Sequence, residues 1–379
     1  MEDIEREMVA VKIAILGTRG IPAQYGGFET FAEQLAIGLV REGVHIEVYC
    51  PHYQPYQNEI YKGVSLRFVW NPEVFFKRRV LRAISTLLYD IFCLVHVTFS
   101  EADIVYMLGY ASGPFCALPR ITGKKIVINP DGLEWKSLRW GWFARKWLHF
   151  CEKVSTKSAH CLIADAPAIS EHFARTYGVT PVCIQYGTEL FDEKSASTLP
   201  VEPFSYYLAV ARMVPETSIP MIIRGFRLSG SAKRLLVVGP IPDTHYFESE
   251  IRALIDGDHV QYLGSIYDRS LLQTLRARSM ALLHGHASEG TNPSLLESMG
   301  CGSPVISINR KSNIDVLGNV EGFYFNSDVE LAECIKRFEM LTDAARSDLG
   351  KLNRMRADSH FSWGATVHKH IAVFEGLVV

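Results

Sequence analysis

The sequence predicts an α/β protein built as two doubly wound, Rossmann-like parallel-sheet domains. Three observations carry that prediction. Short buried-type apolar runs recur along the chain with helical patterns between most of them, the signature of a parallel sheet with helices on both faces. A polar stretch over 189–205 breaks the alternation, which then restarts. The length of 379 residues, at 48% apolar and 21% charged, suits two ordinary domains with real cores.

In order, the first strand is read over 11–16. Phe28, Phe31, Ala32, Leu35 and Leu39 then fall at helical spacing, and Gly43 stops that helix. Further strands are read over 44–50, 64–70, 103–108, 125–129, 161–164 and 182–186. After the break, strands are read over 206–210, 235–238, 260–263, 281–284, 305–308 and 323–325, with helices such as 270–278 and 292–299. The expected domains are 1–195 and 196–359, facing across a cleft. Ligands of such sheets bind outside the carboxyl ends of the strands.

Composition narrows the classes. Lys and Arg total 39 against 41 Asp and Glu, a net charge of −2. Nucleic-acid binding needs a basic surplus to displace counterions, so it is not expected. The eight cysteines show no C-x-x-C pair and no histidine at zinc spacing, and they read as buried, reduced thiols. Met1-Glu2-Asp3-Ile4-Glu5 is acidic and unlike a signal peptide. The longest apolar stretch, 83–99, is interrupted by Asp90 and His96 and is too short to span a bilayer. The expectation is a cytoplasmic protein, with contact at the inner face of the membrane left open.

Two loops carry the chemistry. The first strand ends in Gly17-Thr18-Arg19-Gly20-Ile21-Pro22, and Gly26-Gly27 open the following helix. This is not G-x-G-x-x-G, which weakens a nicotinamide-dehydrogenase reading. A glycine pair at a first helix N-terminus either serves a loop needing positive φ or lets backbone N–H groups meet a phosphate, and the second is favoured. In the second half, Glu289 and Glu297 flank a strand-to-helix turn, with Thr291 or Asn292 as N-cap and Pro293 in the first turn. Carboxylates there suit sugar and ribose hydroxyls. Glu297 alone could be a solvated helix face, but Gly300-Cys301-Gly302-Ser303-Pro304-Val305 beside it argues for a ligand. Asp256-Gly257-Asp258 resembles a metal-binding D-x-D triplet but sits in a polar turn without a partner ligand, so no metal is expected.

Glu289-x7-Glu297 followed by Met299-Gly300-Cys301-Gly302-Ser303-Pro304-Val305 resembles the E-x7-E signature of retaining nucleotide-sugar glycosyltransferases of family 4, which have the two-domain GT-B fold. The opening glycine loop, with the segments at Asp131-Gly132-Leu133-Glu134-Trp135-Lys136 and His284-Gly285-His286, resembles a subgroup containing bacterial rhamnosyltransferases of surface-polysaccharide assembly. The resemblance implies a nucleoside diphosphate sugar as substrate, best guessed as dTDP-rhamnose, and no cofactor. The acceptor is a hydroxyl of a glycan or lipid-linked saccharide. It also implies that the tail, 360–379, crosses back onto the first domain. Such enzymes hold the diphosphate with an Arg and a Lys; here Arg212 is kept and Thr217 stands at the Lys position, with Arg19 a candidate replacement. Arg212 can still grip phosphate as a fork, the alternative being a surface ion pair. By position Asp131 would orient or deprotonate the acceptor. On local sequence alone an Asx turn closed by Asp131-Gly132 is an equal reading.

The expected roles are therefore Glu289, Thr291 and Asn292 at the donor sugar, Glu297 at the ribose, and Arg212 with Gly26 and Gly27 at the diphosphate. Two stretches also suit a membrane surface: Phe75-Phe76-Lys77-Arg78-Arg79-Val80-Leu81-Arg82, and the aromatic and cationic run from Trp135 to Trp147. An ordinary amphipathic helix with core aromatics is the equal alternative there. Rival functions are a nucleotide-sugar epimerase or hydrolase of the same fold, and a non-catalytic sugar-nucleotide-binding module.

Overall fold

The computed structural model describes residues 11–23, 27–75, 79–130, 132–136, 140–199, 201–241, 245–287, 289–318 and 322–378. The chain divides into two compact units, Met1–Gln185 with Trp363–Val379, and Tyr186–Ser362. Both are doubly wound α/β units, as the alternation requires.

The first unit runs β1 Lys12–Leu16, α1 Gly27–Arg41, β2 His45–Pro51, β3 Ile60–Tyr61, β4 Val64–Val69, α2 Arg79–Thr98, β5 Ile104–Leu108, α3 Ala117–Ile121, β6 Lys125–Asn129, α4 Trp142–Ser158, β7 Cys161–Ala164, α5 Pro167–Tyr177 and β8 Val182–Cys183. Its sheet has the order β3-β4-β2-β1-β5-β6-β7-β8, and every pairing is parallel except the hairpin of β3 with β4. The central strands are fully buried runs: Ile13 to Leu16 and Ile104 to Leu108 each lie within 2% of complete burial. Burial on both faces explains why these segments are continuously apolar rather than alternating. The hairpin strand β3, two residues long, carries too little pattern to be read from sequence. The strand expected over 182–186 pairs only at Val182 and Cys183.

The second unit runs β9 Tyr206–Val210, α6 Ile219–Ser229, β10 Arg234–Val238, α7 His245–Leu254, β11 Val260–Gly264, α8 Arg269–Ala277, β12 Leu282–His284, α9 Pro293–Gly300, β13 Val305–Ile308, α10 Lys311–Leu317, β14 Phe323–Phe325, α11 Asp328–Glu339 and α12 Asp343–His360. Its six strands pair in parallel in the order β11-β10-β9-β12-β13-β14. The stretch read as a linker over 189–205 does not run free. Phe191 is buried and donates its N–H to Gly300, while Ser197 N donates to Thr274 Oγ1 at 2.9 Å. Phe191, together with Leu199 and Val201 packed against Tyr206, Leu208 and Leu236, seats the segment, and their irregular spacing shows no period in the sequence.

The chain returns to the first unit through α13 Trp363–Val378. There His370, wholly buried, meets Tyr106 Oη at 3.2 Å and the ring of Phe31 at 5.8 Å. All eight cysteines are unpaired thiols; six are buried, Cys161 is half-buried and Cys183 is exposed. No helix among the described residues is long and apolar enough to cross a membrane.

Candidate active site

In each sheet the winding reverses direction once, between β1 and β5 in the first unit and between β9 and β12 in the second. Loops leaving the carboxyl ends of such strands splay apart and open a crevice. In the second unit the loop after β9 carries Arg212, and the loop after β12 carries Glu289, Thr291 and Asn292. Topology thus gathers four of the sequence-derived residues at one switch point, and α9 adds Glu297.

The two loops are latched together. Ala287 N donates to the carbonyl of Glu216 at 2.9 Å, and a Cβ on Gly285 would stand 2.5 Å from the carbonyl of Thr217, so only glycine fits. Thr217, in the place expected of a cation, turns inward: its hydroxyl donates to the carbonyls of Arg212 and Val214, both at 2.8 Å. Its work is to staple the loop, which leaves Arg212 itself exposed at the rim.

At α9 the sequence reading of the cap holds. Asn292 Oδ1 accepts from Ser294 N at 2.9 Å and from Leu295 N at 3.3 Å, and Pro293 follows. That cap has a consequence for ligand binding. The two N–H groups a phosphate would meet in the first turn are satisfied by Asn292, so that turn is not a vacant anion cradle.

Glu297 lies beyond the cap and is 37% exposed at its side chain. Its Oε2 stands 2.5 Å from Arg276 Nη2 of α8, whose side chain is only 4% exposed. The same Nη2 reaches Ser294 Oγ at 3.3 Å, and Ser294 Oγ donates to the carbonyl of Val210 at 3.1 Å. A buried guanidinium without a carboxylate is costly, so Arg276 fixes the Glu297 side chain in place. Sequence reasoning missed Arg276. The available signal was an arginine beside Leu271, Leu272 and Leu275, on a helix face whose apolar spacing marks it as buried.

His284 ends β12 fully buried, stacked on His286 with centroids 6.3 Å apart. Burial, reinforced by the charge of His286 and opposed by a bond from Asn313, pushes its pKa down to about 3. It is therefore neutral at physiological pH, with Nε2 lacking a partner. Asn313 Nδ2 donates to the carbonyl of His286 at 3.0 Å and so holds this corner from α10.

In the first unit the glycines after β1 serve closure of the loop. Gly17 has φ +83°, and a Cβ there would meet the carbonyl of Leu108 at 2.1 Å. Gly27 begins α1, while Gly26 lies outside the described residues. Arg19 is paired across the loop, its Nη2 3.7 Å from Glu73 Oε1 and its N–H donating to Glu29 Oε1. Asp131 also lies outside the described residues.

The segment after Asp131 is not one helix. A single helical turn spans Glu134–Lys136, and α4 starts only at Trp142. The four tryptophans divide accordingly. Trp135 Nε1 donates to the fully buried Glu152 at 2.7 Å and Trp140 Nε1 to Glu134 at 3.0 Å, so these two are structural. Trp142 and Trp147 are exposed. Glu152 also accepts from Tyr177 at 2.7 Å and meets His172 Nε2 at 2.9 Å, which fully occupies it in anchoring this segment.

The Asp256-Gly257-Asp258 triplet is a turn. Asp256 Oδ1 accepts the N–H groups of Asp258, His259 and Val260, and these bonds hold its pKa down to about 2. Among the described residues no three His, Cys, Asp or Glu are grouped to hold a metal ion.

The fold is of the GT-B type, two doubly wound α/β units. Residues 191–354 match the family model described as glycosyl transferases group 1. Residues 10–189 match a domain of unknown function, DUF1972. Among solved structures, sucrose-phosphate synthase from Thermosynechococcus elongatus aligns with a TM-score of 0.81 at 19% identity, covering 97% of this chain and 99% of that one. The Anabaena protein HepE, in complex with UDP and glucose, aligns with a TM-score of 0.71 at 16% identity over 97% of this chain and 100% of its own. An α,α-trehalose 6-phosphate synthase from Burkholderia multivorans gives 0.73 at 12% identity, covering 97% of each chain. At these identities the likeness is one of fold. No curated protein matches the chain.

Proposed function

We propose that the protein is a retaining glycosyltransferase that moves a sugar from a nucleoside diphosphate donor to a hydroxyl of a glycan or lipid-linked saccharide. One observation carries the reading: a region matching glycosyl transferases group 1 whose Arg212, Glu289 and Glu297 all sit on elements that flank its switch point. Family 4, resting on Glu289-x7-Glu297 with Met299–Val305, and a rhamnose donor with surface-polysaccharide assembly, resting on Gly17–Pro22 with Tyr25–Glu29, Asp131–Lys136 and His284–His286, are the finer form of this reading. A structural relative binding UDP and glucose supports a nucleoside diphosphate as the donor's handle.

In this scheme Glu297, held through Oε2 by Arg276, offers Oε1 to the ribose hydroxyls. Glu289 and the backbone at Thr291 and Asn292 hold the donor sugar. Because Asn292 caps α9 with its own side chain, the diphosphate relies on the fork of Arg212. The bond from the anomeric carbon to the phosphate oxygen breaks, and its electron pair leaves on the nucleoside diphosphate. The acceptor oxygen attacks the same face and passes its proton to the departing phosphate oxygen, with Asp131 orienting the acceptor. Neither metal nor cofactor has a part in these steps. The acceptor side would work at the inner face of an anionic membrane.

The test is a panel of nucleotide sugars, read by mass spectrometry with and without a lipid-linked acceptor and with EDTA. Sugar transfer that requires acceptor and survives EDTA is expected. Product without acceptor would make the protein an epimerase or hydrolase, binding without turnover a sugar-nucleotide module, and rescue by Mg²⁺ would return a metal to the site.

A further inference from the structure

Helix α2 turns a serine and an aspartate inward and apolar side chains outward, beside exposed Thr86 and His96. Ser85 and Asp90 are buried together with Tyr89, Cys93, Leu94 and Val97. Leu81, Ile84, Leu88, Phe92, Val95 and Phe99 are exposed, Phe99 to 83%. At 100° per residue those six fall within an arc of roughly 80°, a continuous stripe along about 30 Å of helix. Trp70 extends it, its ring 5.7 Å from Phe92, and Phe75 lies 6.4 Å from Trp70. At the other end α3 packs beside α2, tied by Thr122 Oγ1 to the carbonyl of Thr98 at 3.2 Å, and Ile121 there is 82% exposed. An exposed apolar surface of this continuity marks a contact with another phase or molecule.

Charge says which. Residues 70–160 hold thirteen Lys and Arg against seven Asp and Glu, in a chain whose totals are 39 and 41. In sequence Lys77 and Arg78 immediately precede α2 and Arg79 and Arg82 fall in its first four positions, a turn with no acidic residue. Cations at a helix N-terminus oppose its dipole and lower helix stability. A sequence that concentrates four of them there, at the end of an apolar stripe, bears a cost that an anionic surface would offset.

We propose that the α2 stripe is the face by which this protein lies on an anionic lipid bilayer. The side chains from Leu81 to Phe99 enter the headgroup–acyl boundary, and the basic cluster at the helix start meets lipid phosphates. This deepens the membrane reading above by naming its face, and it needs no step of the transfer reaction.

The test uses the full chain and two kinds of vesicle, phosphatidylcholine alone and an equimolar mixture with phosphatidylglycerol. Co-sedimentation with the anionic vesicles only, weakened by salt, is expected. Lys77, Arg78 and Arg82 changed together to Gln should lower that affinity at least about tenfold. Leu88→Ser with Phe92→Ser should do the same. Leu228→Ser, an isolated exposed leucine on α6, should leave it unchanged.

Brominated acyl chains supply a measurement free of any folding defect in the stripe variants: they should quench wild-type tryptophan fluorescence, and Trp70→Phe should remove part of that quenching. Failure of the wild type to bind at low salt overturns the proposal. So does undiminished quenching in Trp70→Phe, or a Leu88/Phe92 variant that turns a dimer into a monomer while binding vesicles normally. Transfer activity that persists without vesicle binding would leave the glycosyltransferase reading intact.

Discussion

Helices α2 and α6 belong to the same architecture and yet solve opposite problems. In α6, Ile219, Ile222, Ile223 and Phe226 are buried against the second unit's sheet and α11. Its outer face carries Arg224, paired with Glu250 at 3.2 Å and Asp328 at 3.4 Å, and Arg227, paired with Asp256 at 2.9 Å. One apolar face and one charged face make an ordinary surface helix. In α2 the outward stripe is apolar as well, and the buried face holds the carboxyl of Asp90. The same fold therefore tolerates an outer helix face that its own core does not need. What the second unit spends on internal pairing, the first leaves open to a partner.

The comparison breaks most sharply at two phenylalanines. Phe226→Ala should destabilise the protein by about 3–5 kcal/mol, the cost of an emptied core position. Phe92→Ala, at 38% exposure, should change stability by about 0.5 kcal/mol or less. Chemical denaturation measures both, and equal losses would mean that the α2 stripe is packed structure.

The next effect lies at Glu297. Glu297→Ala strands the buried Arg276 guanidinium and should cost on the order of 3 kcal/mol in folding stability. Lost nucleotide binding in that variant would therefore be ambiguous. Glu297→Gln with the pH held constant keeps a hydrogen-bond acceptor for Arg276, and it should weaken nucleotide binding by about 1–3 kcal/mol in calorimetry. Unchanged affinity in the glutamine variant would confine Glu297 to holding Arg276.

A further effect, visible only as pH changes, concerns Asp90. Burial raises its pKa to about 7 from 3.8, although Ser112 Oγ donates to it at 2.5 Å. The folded state thus binds the proton more tightly than the unfolded state, and stability is lost as pH rises from about 4 to about 7. Asp90→Asn should melt higher than wild type at pH 8 and match it near pH 4. A constant offset at both values would show that Asp90 is charged throughout.

Much of this was legible in the residues. The parallel sheets could be read because strands such as Ile104–Leu108 are buried on both faces and must be apolar throughout, and the α9 cap because Asn292-Pro293 is a local signal. The candidate site could be read only in part. Glu289, Glu297 and Arg212 stand in motifs, whereas Arg276 acts from another helix and has no motif of its own.

The sequence by itself determined the two doubly wound units, the glycine loop, the capped α9 helix and the pair of glutamates, because each depends on interactions between near neighbours in the chain. Only the tertiary structure decided that Arg276 holds Glu297 and that Trp135 is committed to Glu152. It alone turned Asp90 inward on α2 and left Phe92 outside. Periodicity shows that a helix has an apolar face, but which face meets a core and which meets solvent depends on neighbours brought together by folding.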